Sequence, residues 1–392
     1  MTSKKTNKKE RNAAAIERDF NKAFCLMNSK KLKDSTENFL HIIVTRPSSR
    51  TNQEFDFVAL STDDYKSAIK LFTKIIKREP DHILSYEMRG LAKLQLNNVK
   101  GAHADFSKAI ELNADYPMVY HNRASAKSDL GDYEGALQDA NKAIEIYPEF
   151  TISYYNRASY KKVLMDIKGA IEDYSKAIEL RPNYTNAFIN RGNLYYAIEY
   201  YKSAVEDFSK AIEIDPNDRS AYFNRGHAKY FLNDFQGVID DYTKIIELNP
   251  ADTSGYFGRG SAKEKKNDLK GAIDDYSAAI EIDPEDNSAY VKRANAKQES
   301  EDLEGAITDY SKAIALYPED KMALNNRGVA KTKIKDYAGA IEDFSKCIEM
   351  DPKNEMAFLK RGNAKDKIED FKGAIEDFSK AIKLDPKSDE AY

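Results

Sequence analysis

Residues 219–252 read RSAYFNRGHAKYFLNDFQGVIDDYTKIIELNPAD, and their apolar and small residues fall into two stripes. Ala221, Tyr222, Arg225, Gly226, Ala228, Lys229 and Leu232 recur at spacings of three and four, the period of one helix face. Phe235, Val238, Ile239, Tyr242, Ile245, Ile246 and Leu248 form a second such stripe. Asn233-Asp234 between them signals a turn, and Asn249-Pro250 ends the second helix, because proline lacks an N–H and restrains the residue before it. The segment therefore predicts a helical hairpin.

Working outward, Pro250 is one of a series: Pro148, Pro182, Pro216, Pro250, Pro284, Pro318, Pro352 and Pro386 stand 34 residues apart, and the frame runs back through Ala114 to Pro80. Strict spacing at this period marks a repeat architecture in which each hairpin covers its neighbour's apolar face. Numbering 219–252 as places 1 to 34, place 8 is Gly or Ala from Gly90 through Gly362, and place 20 is Ala from Ala68 to Ala374 except for Val238. Small residues there let the two helices approach. Aromatic or leucine residues at place 4 (Tyr222, Leu324) and rings at place 24 (Phe106, Tyr174) fill the space beside them and are expected in the core.

The run Tyr222 to Lys229, followed by Asp234-Phe235, Val238, Tyr242 and Pro250 in a 34-residue unit, resembles the motif of the tetratricopeptide repeat family. The resemblance implies an all-α fold, an α-solenoid of stacked antiparallel helical hairpins wound as a right-handed superhelix. Nine regular units cover 83–388. Residues 16–82 are expected to form two divergent hairpins, the later matching only in its second helix (Tyr65, Ala68, Phe72, Ile75, Pro80) and the earlier marked by Phe39, Ile42 and Pro47. Residues 1–15 read as a basic tail, and 389–392 as the start of a further unit or a truncated end. Two departures stand out: the chain has no Trp, and place 7, apolar in the family, is Arg in all nine regular units.

Place 23 is Asp in the same nine units, so Arg225 with Asp241 and Arg191 with Asp207 exemplify a recurring pair. In an antiparallel hairpin the two places lie at one height, which predicts a structural ladder of charge-assisted pairs. A basic track for an acidic ligand is disfavoured, since each Arg has a matched Asp.

In the family, places 2, 5, 6, 9, 12 and 13 face a concave groove that holds partners. Place 6 supplies Asn122, Asn156, Asn190, Asn224 and Asn326, carboxamides able to donate to and accept from an extended peptide backbone. Nearby groove places carry Ile152, Tyr155, Ile189, Tyr196, Phe223, Tyr230, Phe231 and Phe257, and turn polar after Phe257. The expected function is a non-catalytic scaffold binding an extended partner segment there, with residues 152–257 as the hot region. Place 5 and place 2 hold no Lys, which argues against the family's docking of chaperone C-terminal tails. A self-assembling array is the rival reading, because no polar capping helix follows Pro386 and the last helix would leave Ile375, Phe378 and Ile382 partly uncovered.

Composition excludes other classes. The formal charge is −4, but residues 1–47 carry eleven Lys or Arg against five Asp or Glu, so the repeats are acidic and repel a nucleic-acid backbone. Cys25 and Cys347 lie far apart, and the five His stand singly, giving no disulfide framework, metal spacing or cofactor motif and no enzyme signature. No apolar run reaches the ~20 residues of a membrane span, and a cytoplasmic protein is expected.

Overall fold

A computed structural model describes residues 13, 15–24 and 62–385. The basic tail, the marks Phe39, Ile42 and Pro47, Cys25 and the expected final segment 389–392 lie outside the described residues. Every regular element among the described residues is a helix. They form two compact units, Met1–Leu194 and Tyr195–Tyr392.

In the first unit the helix Thr62–Arg78 buries Tyr65, Ala68, Phe72 and Ile75. Its partner is the helical stretch 15–24, whose Ile16, Phe20, Ala23 and Phe24 join the same core. Phe20 meets Phe72 edge-on at 5.7 Å, and Asp19 accepts from Lys74 and Arg78 at 2.8 and 2.9 Å. Hairpins follow as Ile83–Gln95 with Val99–Leu112, Pro117–Asp129 with Tyr133–Ile146, and Thr151–Val163 with Ile167–Leu180. The helix Thr185–Ala197 begins in this unit, which ends at Leu194, and its last turn belongs to the second.

Tyr201–Ile214 is the second unit's first whole helix. Its hairpins are Arg219–Phe231 with Phe235–Leu248, Thr253–Lys265 with Leu269–Ile282, Asn287–Glu299 with Leu303–Leu316, Lys321–Lys333 with Tyr337–Met350, and Glu355–Lys367 with Phe371–Leu384. Within each unit a second helix packs on its own first helix and on the next hairpin's.

The small place 8 faces the place-24 ring. A Cβ on Gly226 would lie 3.0 Å from Tyr242, and one on Gly260 2.8 Å from Tyr276. Both rings are buried, so neither has room to withdraw. Helix approach is thus set by an aromatic plate lying against the backbone of the first helix.

The turns repeat as closely. Asn233 sits at φ 58°, in the left-handed region, and Asp234 caps the next helix by accepting from Gly237 N at 3.0 Å. A Cβ on Gly237 would lie 2.2 Å from Asp234 Oδ2, so the cap requires glycine three residues on. Lys229 Nζ closes the turn by donating to Gly237 O at 3.3 Å.

Candidate partner-binding surface

The Arg and Asp residues expected to form a ladder meet in the interior of the hairpin. Arg225 Nη2 donates to Asp241 Oδ1 at 2.5 Å, its Nε to both carboxylate oxygens, and its Nη1 to Ser209 Oγ of the preceding unit at 3.1 Å. Lys229 Nζ takes Asp241 Oδ2 at 2.9 Å, and the guanidinium lies 5.5 Å from the Tyr222 centroid. Asp241 is 1% exposed, so its charge is matched inside the hairpin rather than offered to a ligand. The same Arg, Asp and Lys set recurs from Arg89, Asp105 and Lys93 to Arg361, Asp377 and Lys365, except that Tyr195 takes the lysine's place in one repeat. Burial raises the Asp377 carboxyl, but hydrogen bonds from Arg361 and Lys365 outweigh it and hold its pKa below the ordinary value. Arg191, in the first unit, donates to Ser175 Oγ at 2.8 Å and lies 5.8 Å from the Phe188 centroid; Asp207, in the second, is buried. The Lys at place 11 and the hydroxyl or amide at place 25 were not singled out in the sequence, although both recur at the repeat spacing.

On the first unit's first-helix face the expected groove residues are largely engaged with one another. Asn122 is buried and donates to Glu87 Oε1 at 3.3 Å, while Tyr116 donates to Glu87 Oε2 at 2.7 Å. Asn190 Nδ2 donates to Tyr155 Oη at 2.7 Å, and the Tyr155 ring packs 4.9 Å from Tyr184. Asn156, Ile152 and Ile189 are half-buried. His121 lies 5.5 Å from Phe150, and desolvation pulls its pKa down to about 4, so it is neutral at physiological pH.

The second unit presents a different face. Tyr201 and Phe231 stack in parallel at 4.9 Å and 9°, and Tyr196 meets them edge-on at 5.6 and 5.8 Å. Phe231 continues to Tyr230 at 6.3 Å and Tyr230 to Phe235 at 5.5 Å. Phe231 is 53% exposed and Tyr200, the residue before Tyr201, 63%. Phe223 and Phe257 are half-buried and turn inward, toward Tyr242 at 5.9 Å and Tyr276 at 6.1 Å. Asn224 is half-buried. Asn326 donates to Asn295 Oδ1 at 3.1 Å and accepts from Asn325 at 3.0 Å. The structure thus gathers Tyr196, Tyr230 and Phe231 into one cluster, and adds Tyr201 and Phe235 from the second helices. Among the described residues no three His, Cys, Asp or Glu are grouped to hold a metal, and no helix is long and apolar enough to cross a membrane.

Sequence models of the repeat match across this architecture. The TPR repeat matches residues 166–199 and 192–232, and the tetratricopeptide repeat matches 119–150, 223–287, 288–320, 322–354 and 357–388, together well over half the chain. The chain belongs to the tetratricopeptide repeat family. No curated protein matches it. Among solved structures, the C-terminal part of a TPR repeat-containing protein from Cytophaga hutchinsonii aligns at 20% identity over 60% of this chain and 96% of that one, with a TM-score of 0.55. YrrB, described as a TPR protein with an unusual peptide-binding site, aligns at 27% identity over 48% of this chain and 97% of its own, TM-score 0.43. Yeast Tom70 aligns at 20% identity over 84% and 90%, TM-score 0.38. As a tetratricopeptide repeat protein the chain is a protein-interaction scaffold, a fold generally without catalytic function.

Proposed function

We propose that this scaffold binds an extended segment of a partner protein along the first-helix faces, and that the second unit's aromatic cluster is its principal anchor. The exposure of Phe231 in a cluster of stacked rings carries the reading. A large ring left in water costs solvation that folding gives no reason to bear, while rings supply contact area at low conformational cost. The Arg and Asp ladder keeps the helices in register beneath this surface and takes no part in recognition.

A photo-crosslinking aromatic residue placed at Phe231, with Lys210 on a second helix as control, tests it. Adducts from position 231 that map to one linear partner segment, and none from position 210, are the expected result. Equal labelling from both positions, or none from position 231, contradicts it. Self-association is the second reading: on the helix Phe371–Leu384, Phe371 and Ile375 are exposed.

A further inference from the structure

Three departures from the chain's own repeat meet at one turn. Tyr195 stands where the eight other regular units have Lys, Tyr200 where they have Asp or Asn, and Ser203 where they have Gly. The last two are coupled by geometry, since glycine is needed only where a capping carboxylate or amide occupies the space, as at Gly237 and Gly271. At Tyr200 no side chain caps the helix Tyr201–Ile214. A lost cap costs about 1 kcal/mol of helix stability. In its place the chain sets Tyr201 beside Phe231, and Tyr200, the residue before it, stands 63% exposed.

What the rings can hold follows from their arrangement. Tyr201, Phe231 and Tyr196 lie in mutual contact at 4.9 to 5.8 Å, so they enclose no space for a cation, as an aromatic cage would. They form a row, with successive ring steps of 4.9 and 6.3 Å from Tyr201 through Phe231 to Tyr230. Together these steps set an upper limit of about 11 Å on the Tyr201 to Tyr230 separation, enough to accommodate the ~9 Å turn of a polyproline II segment. The hydroxyls of Tyr196, Tyr200, Tyr201 and Tyr230 make no hydrogen bond among the described residues, and all can donate. Rings carrying phenolic donors suit a ligand that offers apolar side chains and carbonyl acceptors but few N–H groups, which describes a proline-rich strand. The chain's own prolines never fall within one polyproline turn of each other, so the occupant is another molecule.

We propose that the row Tyr196, Tyr201, Phe231, Tyr230 and Phe235, together with the exposed Tyr200 that precedes Tyr201, docks a proline-rich polyproline II segment of another protein. The proposal rests on the reading of the first-helix face as the partner surface. Fluorescence anisotropy of labelled decaproline titrated with the full chain tests it, against a Gly-Ser peptide of equal length. Decaproline should bind saturably and the Gly-Ser peptide should not. Phe231→Ser should weaken binding at least about tenfold, the scale of a hot-spot ring. Tyr317→Ser, at a ring exposed elsewhere, should leave it unchanged, and circular dichroism should show both variants folded. Tyr201→Phe keeps the stack and removes one donor, and should cost a few-fold. Absent or non-saturable decaproline binding, or equal binding by Phe231→Ser, overturns the proposal. If decaproline fails while the crosslinker at Phe231 captures a segment without proline, the partner class is wrong and the surface stands; if both fail, the surface reading falls too. Sedimentation showing a dimer that Phe231→Ser dissociates would make a second copy the occupant and overturn it as well.

Discussion

The turns at Asn233–Gly237 and Glu199–Ser203 follow the same backbone path with different side-chain support. Both begin in the left-handed region, at φ 58° for Asn233 and 65° for Glu199. In one, Asp234 N donates to Lys229 O at 3.0 Å and Val238 N to Asp234 O at 3.0 Å; in the other, Tyr200 N donates to Tyr195 O at 2.8 Å and Ala204 N to Tyr200 O at 3.1 Å. Only the first has the carboxylate cap. Backbone bonds and core packing therefore set the path, and the cap adds stability to a shape already fixed. A position that adds stability without setting shape can be given over to another use, and at Tyr200 the chain has done so.

If shape rests on the core and not on the cap, the largest loss should come from the buried ladder. Arg225→Ala leaves Asp241 buried with Lys229 as its remaining charge partner, and should destabilise by about 3 kcal/mol, read as a lower urea midpoint. Arg225→Leu, which restores packing, should cost no more than Arg225→Ala. A loss under about 0.5 kcal/mol for the alanine variant, the range of ordinary surface changes, would show that the pair is not what holds the hairpin.

The smallest effect separates the two turns at their shared first position. A left-handed conformation costs a non-glycine residue about 1 kcal/mol, and Asn tolerates it better than Glu. Glu199→Gly should therefore stabilise more than Asn233→Gly in thermal unfolding. Equal gains would mean that side-chain contacts at Glu199 already offset its strain.

Much of this was legible in the sequence. The 34-residue proline spacing gave the hairpins, and alternation of small residues with rings at places 8 and 24 gave the contact between helices. The groove was harder to read, because places counted from one helix do not show what the next unit brings against them. Tyr155 and Asn190 face the groove in that frame, yet they bond to each other, and Tyr155 also packs on Tyr184. Tyr201 was passed over because it opens a second helix, where rings are ordinarily core. Its signal was present in the simultaneous loss of Asp at place 16 and Gly at place 19. The packing of stretch 15–24 on Thr62–Arg78 joins residues far apart in sequence, and no period links them.

The central claim, that the turn at Tyr200 has given up a cap for a docking surface, is tested most directly by restoring the cap. The double variant Tyr200→Asp with Ser203→Gly should be measured for urea unfolding and for decaproline anisotropy in the same preparation. The account predicts a gain of about 1 kcal/mol in stability together with binding weakened several-fold. Unchanged binding in a stabilised variant, or no gain in stability, would contradict it.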